Sequence, residues 1–566
     1  MSARHLLDAR RPDAEALRTR RDLAIALVVL GAAAGLAGIG GMLPRQALPF
    51  VTDEFAYLLQ ADTFAHGALS LPALRSPEFF EAAQVLVTPR YMAKYLPGNA
   101  LAIAPFSALG APWLWPCLAF GACAALIFLA GRQLGAPWPI AAFGAAAFSM
   151  SKPGVLMVPT YLSHCTSTLA ALGALVLAAR AVRLRSAGSA AGAGACVAFA
   201  LLTRPYTAIA CGLALALVFL VGRASSRSWR FAFAPLIAAA ALLCAFNAAT
   251  TGSWRKSAWQ LYAEQYSPAD GPGFGPVPPQ AVAPRRPAHL RWLLDDYERD
   301  RVGYLLPDLP HHALVRADAL VNYFPLRALV VLSLLGLVAA AQPPVAFALA
   351  WLLALFGLQL TFHASPPQYH AEEYAPLVVL AVAGLHAAVR GLDKPILLAL
   401  LISAQLLAYS FVWNVSALPA LALIALLFSL GTVAALQRPR LPAFAAAVSR
   451  YGSLLLAVAA CLQMPQRVAE VGGARSPHDG LRARFAALRE ELRPRHALLF
   501  VRGTPQKMLE LPLVNLGLGV RDPEPIVAVD LGPRDAELAA QYPDRQPLLL
   551  DADAWTVQAL GPTATR

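Results

Sequence analysis

Two adjacent carboxylates, Asp53 and Glu54, stand at the start of a segment whose spacing predicts a short amphipathic helix at a membrane surface. The segment reads VTDEFAYLLQADTFAHG, in which Thr52 can cap the helix and Gly67 marks its end. Acidic residues in a first helical turn favour the helix dipole, which is a purely structural explanation. A positioned carboxylate is also a residue type that removes protons in general base catalysis. The pattern alone leaves both explanations open.

A cationic and aromatic segment, TPRYMAKYLPGNALAIAPF, follows in the same stretch of chain. Its polar side chains are Arg90, Tyr91, Lys94 and Tyr95. Basic side chains at a lipid boundary attract anionic groups, and tyrosines there combine an apolar ring with a polar tip. Pro97 and Gly98 predict a turn directly afterwards. An ordinary interfacial anchor is the alternative to a binding site for a phosphate.

The elements that must position these residues are membrane helices. The chain has 566 residues, of which 58% are hydrophobic and only 14% charged, and its mean hydropathy is +0.54. Soluble domains carry about a quarter charged residues, so a soluble globular enzyme is excluded. The net charge of +13 lies mainly beside apolar segments, so no nucleic acid partner is expected. The seven cysteines show no metal-ligand spacing.

Apolar segments of spanning length predict an all-α polytopic membrane protein with about 11–13 transmembrane helices. The expected spans are 23–43, 113–131, 138–150, 158–179, 188–203, 205–222, 231–250, 320–340, 345–362, 375–390, 395–413, 417–437 and 451–465. The distribution of arginine and lysine places the N-terminal residues 1–22 in the cytoplasm. The transmembrane domain is therefore expected over 23–465.

The opposite, outer side receives a first loop (44–112), a Pro/Gly-rich loop (251–319) and the C-terminal segment 466–566. Within the second loop, 266–287 is expected to be a flexible loop or a lid, because its prolines lack a backbone donor. The C-terminal segment predicts a small accessory α/β domain. Its expected elements are a helix from Pro477 capped by Ser476, strands near 497–502, 526–531 and 547–551, and a helix over 534–541.

Further polar residues fall on the same outer side once this topology is applied. They are Tyr57, Tyr161, His164, Arg204, Tyr206, His363, Gln368, Tyr369, His370, Glu372 and Glu373. Ionisable groups at a membrane boundary are costly, so their convergence on one face favours a functional site. His363, His370 and Glu372 offer metal-ligating atoms, but their spacing matches no recognised motif.

The acidic pair outside the first span, followed by Lys-Tyr-x-Pro-Gly before the second, resembles the C-type membrane glycosyltransferases (GT-C). The resemblance is closest to the bacterial branch near protein O-mannosyltransferases and lipid A aminoarabinose transferases. TYLSH (160–164), LLTRPYTA (201–208) and FNAATTGS (246–253) are similar to recurrent features of that branch. One departure is Leu96, which stands where many members have a proline.

Such enzymes move a sugar from a polyprenyl-phosphate carrier to an acceptor on the outer membrane face, with inversion at the anomeric carbon. The resemblance implies that Asp53 is the general base and that Glu54 orients the acceptor or supports Asp53. It also implies that Lys94 holds the carrier phosphate, with Arg204 and Arg90 as weaker candidates. The candidate pocket residues are Tyr57, Tyr91, Tyr95, His164, Tyr206 and Tyr369.

The expected partners are the lipid bilayer, a polyprenyl-phosphate-linked sugar and an envelope glycan, lipid or protein acceptor. No cofactor is expected, and no divalent metal, because a monophosphate donor carries less charge than a nucleotide diphosphate. The Ala-, Arg- and Pro-rich composition favours a bacterium, and hence its inner membrane. Two alternatives remain: a lipid or glycan flippase, and a ligase or polymerase of diphosphate-linked glycans.

Overall fold

Apolar helices dominate the computed structural model of the chain. It describes residues 3–43, 47–49, 51–149, 160–277, 284–323, 327–364, 367–390, 479–518 and 525–560. The helices before the second outer loop are α1 (Ala3–Ala37), α2 (Thr52–Ala65), α3 (Pro97–Ala108), α4 (Leu114–Gln133), α5 (Trp138–Ser149), α6 (Ser163–Leu184), α7 (Ala187–Thr203), α8 (Pro205–Val221) and α9 (Ser226–Thr251). Those that follow are α10 (Ala258–Gln265), α11 (Arg291–Val302), α12 (Leu309–Tyr323), α13 (Arg327–Gly336), α14 (Pro343–Gln359) and α15 (Ala371–Arg390).

Four of the described helices, α4, α6, α9 and α15, are long and apolar enough to cross a membrane, judged by length and composition. Helices α5, α7, α8 and α14 are equally apolar but shorter. These eight helices and α1 match nine of the expected spans. Buried alanines, leucines, valines and aromatic rings from them contribute to one large core. Membrane sidedness and the cytoplasmic N-terminus stay predictions.

The eighth expected span, 320–340, is divided differently in the structure. Helix α12 ends at Tyr323 and α13 begins at Arg327, followed by a 3₁₀ turn over Leu337–Ala339. The sequence has Pro325 between the two helices, and proline removes a helical hydrogen bond. The expected spans 395–413, 417–437 and 451–465 lie outside the described residues.

Helix α2 is buried on all sides, so the prediction of an amphipathic helix lying on the membrane surface is wrong. Most residues from Glu54 to Thr63 are buried, including those opposite the predicted apolar stripe. Val51 occupies the N-cap position instead of Thr52, whereas Gly67 (φ +78°) does terminate the helix as expected. The prediction missed the protein surfaces that cover α2 from both sides.

The remainder of the first outer loop is a small antiparallel sheet followed by a helix. Strands β1 (Leu71–Pro72), β2 (Val85–Leu86) and β3 (Arg90–Ala93) pair in the order β1, β3, β2. Pro97 is the first residue of α3, so it starts a helix and does not form the expected turn. Proline suits this position because the first helical N–H needs no partner.

The C-terminal segment contains helices α16 (Asp479–Leu492), α17 (Pro505–Glu510) and α18 (Asp535–Ala539) around one sheet. Strands β4 (Ala497–Arg502), β5 (Ile526–Val529) and β6 (Gln546–Asp551) correspond to the three predicted strands, and β7 (Thr556–Ala559) was not predicted. The order is β5, β4, β6, β7, with parallel pairing except between β6 and β7. Ser476 and Pro477 lie outside the described residues, and the domain boundaries stay predictions.

Candidate active site

Asp53 lies in the first turn of α2, and its partly exposed carboxylate is held by two hydroxyl groups. The Tyr95 hydroxyl donates a hydrogen bond to Asp53 Oδ1, and the Thr52 hydroxyl donates to Oδ2 over 3.3 Å. A carboxylate has about four acceptor positions, so Oδ2 keeps lone pairs for a further donor. The geometry therefore leaves Asp53 able to accept a proton from a molecule beside it.

Tyr57 connects this carboxylate to the helices of the core. Its ring stacks on the Tyr95 ring, with 4.2 Å between centroids and 16° between planes. Its hydroxyl donates to Ser163 Oγ over 3.0 Å. The Arg204 guanidinium donates to the same oxygen over 3.3 Å. Asp53 is thus joined to a partly exposed cation through two tyrosines and one serine.

Burial determines the protonation state of both tyrosines. It raises the pKa of Tyr57 and of Tyr95 well above the usual phenol range. For Tyr95, the negative charge of Asp53 raises the pKa further. Both phenols are therefore protonated at neutral pH and act as hydrogen-bond donors toward Ser163 and Asp53.

The position of Arg204 follows from local sequence. Helix α7 ends at Thr203 and α8 begins at Pro205, so Arg204 is the extended residue between them, with φ −146° and ψ 108°. A residue before proline is disfavoured in a helix, which explains the break. Gly98 of α3 packs against the end of α7, where an added Cβ would lie 2.7 Å from the Leu202 carbonyl oxygen. This close approach brings α3, and with it the segment carrying Lys94 and Tyr95, next to Arg204.

The Glu372 carboxylate, at the start of α15, is contacted by three hydrogen-bond donors. Arg204 Nε lies 2.6 Å from Oε1, His164 Nδ1 lies 3.1 Å from the same oxygen, and the Thr207 hydroxyl donates to Oε2. The Tyr369 ring covers this group, with its centroid 5.4 Å from the Arg204 guanidinium carbon and 5.5 Å from the His164 ring. The site therefore places a fully buried carboxylate beside an arginine whose side chain is 24% exposed.

The Glu54 carboxylate accepts hydrogen bonds from two backbone N–H groups. Its Oε1 accepts the Val51 N–H over 2.9 Å, and its Oε2 accepts the Tyr161 N–H over 2.7 Å. The side chain is fully buried. Glu54 thus ties the start of α2 to the segment that leads into α6, and its expected role toward the acceptor or Asp53 stays a prediction.

Lys94 forms a buried ion pair with Asp270 from the Pro/Gly-rich loop, and the two side chains are 3% and 5% exposed. Three aromatic rings surround the Lys94 ammonium nitrogen, at 4.5 Å for Trp259, 5.0 Å for Tyr262 and 5.5 Å for Tyr95. Such rings attract a cation through their negative faces. The lysine is therefore enclosed by protein groups and neutralised.

The Pro/Gly-rich loop and the loop before α15 pack against each other beside this site. Arg301 donates to the Gly271 and Gly275 carbonyls over 2.6 and 2.9 Å. The Gly273 N–H donates to the Thr361 carbonyl over 2.7 Å, which joins the two loops. The hydroxyls of Thr361 and Tyr206 lie 2.6 Å apart. Residues 266–277, the lid, are thus packed against the loop before α15, and Tyr206 contacts Thr361 of that second loop.

Two predicted site residues do not join this network. Arg90 is exposed on β3 beside Pro72, its partner on β1. Tyr91 is buried in the core shared with the C-terminal domain; burial raises its pKa, although the nearby charge of Arg489 opposes the shift. The structure thus places Arg90 at the surface and Tyr91 in this core, and the binding roles expected of them stay predictions.

The suggested metal ligands also separate. Glu372 is engaged as described, His370 Nδ1 lies 2.9 Å from Glu373 Oε2, and His363 is buried without a hydrogen-bond partner. Among the described residues, no group of three or more His, Cys, Asp or Glu side chains is placed to hold a metal ion. These three side chains are therefore not grouped as metal ligands in the part of the chain that the structure describes. Metal independence of the reaction stays a prediction.

Sequence reasoning missed several members of the site: Trp259, Tyr262, Asp270, Ser163 and Thr207. Ser163 and Thr207 stand inside the motifs TYLSH and LLTRPYTA, so their neighbours were a usable signal. Asp270 precedes a glycine in a loop rich in turn residues, where an Asp-Gly pair indicates only a turn.

Comparison with known proteins gives structural similarity only. No protein-family model and no curated protein matches the chain. A solved structure of ArnT from Cupriavidus metallidurans bound to undecaprenyl phosphate is 17% identical, covers 95% of this chain and 90% of its own, and has a TM-score of 0.44. The arabinosyltransferase EmbB from Mycobacterium smegmatis is 14% identical over 78% of this chain and 41% of its own, with a TM-score of 0.42.

The archaeal oligosaccharyltransferase AglB from Archaeoglobus fulgidus, in complex with an inhibitory peptide and a dolichol-phosphate, is 13% identical. The match covers 93% of this chain and 69% of that chain, with a TM-score of 0.42. These structure neighbours are GT-C glycosyltransferases. They are the same group of proteins that the sequence motifs resemble.

Proposed function

We propose that this chain is a membrane glycosyltransferase that moves a sugar from a polyprenyl-phosphate donor to an acceptor in the cell envelope. The observation that carries the proposal is the arrangement around Asp53. A partly exposed carboxylate with free lone pairs is linked through Tyr95, Tyr57 and Ser163 to the cation Arg204. A base and a phosphate-binding cation in one outer site are what sugar transfer from a lipid phosphate needs.

Asp53 acts as the general base in this proposal. Its Oδ2 takes the proton of the acceptor hydroxyl while the acceptor oxygen attacks the anomeric carbon from the face opposite the phosphate. The bond between that carbon and the phosphate oxygen breaks, so the product is inverted. A positioned base typically contributes about 10²–10⁴-fold to the rate.

Departure of the phosphate leaving group requires a nearby cation more than a proton donor. A phosphate monoester spreads its charge over several oxygens and has a second pKa near 6, so it departs without protonation. Positive groups aimed at those oxygens stabilise the charge that develops. Arg204 is the better placed cation in the described conformation, because its side chain is 24% exposed whereas that of Lys94 is 3% exposed. Lys94 takes part once its own partner is displaced.

The test of this function is sugar transfer by the purified chain in liposomes. Wild type and Asp53→Asn are supplied with a panel of polyprenyl-phosphate sugars and an acceptor-rich membrane extract, and release of free polyprenyl phosphate is followed. Asp296→Asn serves as the matched control, because Asp296 lies on the surface of α11 and pairs only with the exposed Arg299 among the contacts described.

Turnover by wild type and by Asp296→Asn, with a loss of about 10²-fold or more in Asp53→Asn, supports the transferase and the base role together. Equal folding of the three proteins is checked by thermal unfolding. Equal turnover in Asp53→Asn would remove Asp53 from the base role. Absence of turnover with every donor in the panel would contradict the proposed donor class.

A further inference from the structure

The ion pair between Lys94 and Asp270 places a carboxylate where an anionic ligand would sit. Both side chains are almost completely buried, and the ammonium group has one anionic partner and three aromatic rings around it. Among the described contacts, Asp270 supplies the one negative group that faces this ammonium. Taking two charges out of water is costly, so a buried pair is weak evidence for stability and needs another explanation.

Asp270 reaches Lys94 from the lid, whereas Lys94 belongs to the first outer loop. The two residues are 176 positions apart in the chain. The Trp259 indole N–H donates to the Asp270 backbone carbonyl over 2.8 Å, so one residue supplies both an aromatic ring to Lys94 and a support for Asp270. The Trp259 hydrogen bond thus fixes the backbone of the segment that places the Asp270 carboxylate beside Lys94.

The second buried pair of the site is built differently. Glu372 receives Arg204, His164 and Thr207, so its removal would leave three donors without an acceptor. The Asp270 carboxylate is described with Lys94 as its one side-chain partner. Of the two carboxylates, Asp270 is therefore the one that a competing anion can replace at lower cost.

We propose that Asp270 occupies the phosphate position on Lys94 while the site is empty, and that binding of the lipid phosphate displaces it. The inference rests on the proposed function, because it takes the ligand to be a polyprenyl phosphate. A sugar-linked lipid phosphate carries one negative charge, so the exchange on Lys94 replaces one anion by another. Asp270 is accordingly a positioning residue that sets donor affinity and competes with the phosphate product.

The test measures binding of a polyprenyl monophosphate to the full chain in lipid nanodiscs, without any sugar transfer. Asp270→Asn is expected to bind about tenfold more tightly than wild type, which corresponds to about 1.4 kcal/mol. Asp270→Glu keeps the competing charge and is expected to bind close to wild type. The double variant Lys94→Met, Asp270→Asn is expected to lose the gain. A variant that was merely damaged would bind more weakly, so the direction of the change separates the two causes.

A second measurement uses the unaltered carboxylate and so does not depend on Asp270→Asn folding. Displacement of Asp270 moves the backbone carbonyl that Trp259 binds, so the ligand should change the tryptophan fluorescence of wild type. The Trp259→Phe variant should show a smaller change at equal occupancy.

Binding to wild type with equal or weaker binding to folded Asp270→Asn, or with no fluorescence change that depends on Trp259, would overturn this inference alone. Failure of polyprenyl monophosphate to bind wild type and every variant would overturn the proposed function, and this inference with it.

Discussion

The hydroxyl group of Tyr95 is the feature whose removal tests the arrangement of the site most selectively. Tyr95→Phe deletes the hydrogen bond to Asp53 Oδ1 and keeps the ring. The stacking with Tyr57 at 4.2 Å and the position of the Lys94 ammonium 5.5 Å from the ring centroid both survive the change. The substitution therefore removes one hydrogen-bond donor from the proposed base, Asp53, and changes little else.

A hydrogen bond to a charged group contributes about 1.5–3 kcal/mol. If that bond orients Asp53 for proton removal in the transition state, its loss lowers kcat by about 10–150-fold, since 1.4 kcal/mol corresponds to a factor of ten. The donor KM should change little, because only the hydroxyl contacts the base, and the ring that lies beside Lys94 is kept. A fall in kcat with unchanged KM is the pattern expected of an interaction made in the transition state.

The matched control is Tyr266→Phe, which makes the same chemical change elsewhere in the outer loops. The Tyr266 hydroxyl also donates to a carboxylate, Glu81, over 3.1 Å, and its ring is buried. Initial rates of polyprenyl phosphate release and thermal unfolding are measured for both variants. Unchanged kcat in folded Tyr95→Phe, or an equal loss in Tyr266→Phe, would refute the proposed orientation of Asp53.

Two further substitutions test the scaffold. Glu54→Gln should lower the free energy of unfolding by about 1–3 kcal/mol, because an amide cannot accept from both the Val51 and the Tyr161 N–H; an unchanged thermal midpoint would contradict this. Burial, reinforced by the charge of Asp530, raises the pKa of Asp535 from 3.8 to about 7. Asp535 therefore stabilises the fold fully below its unfolded pKa of 3.8, and this contribution is lost as pH rises to about 7. The free energy of unfolding of wild type should thus fall more steeply than that of Asp535→Asn between about pH 4 and pH 7, and parallel pH profiles would contradict this.

The sequence was sufficient where short-range signals decide the structure. The end of α2 at Gly67 follows from the glycine, and the extended Arg204 follows from the proline after it. The apolar helices follow from hydropathy. The alternation of spans predicted Asp53 and Arg204 on one face, and the structure links Asp53, Tyr57 and Arg204 in one network. The membrane side and the role of Asp53 as a base stay predictions.

Long-range pairings were beyond sequence reasoning. His164 and Glu372 are 208 positions apart, and neither residue type indicates the other. Asp270 lies in a segment whose composition predicts only a loop, so its ion pair with Lys94 could not be inferred from local pattern. The all-round burial of α2 was missed for the same reason, because part of its cover comes from the far end of the chain.

The residues that bury α2 from the end of the chain give the C-terminal segment a role in the site. One hydrophobic core contains residues of α2, β3 and the C-terminal sheet together. The Phe79 and Phe500 rings meet edge to face at 6.2 Å, and the Arg482 guanidinium donates to the Pro49 carbonyl over 3.2 Å, just before α2. A module that only bound an acceptor would not need to share its core with the helix that carries Asp53. The contacts therefore favour a role in holding the first outer loop, and we expect the position of Asp53 to depend on residues 479–518 and 525–560.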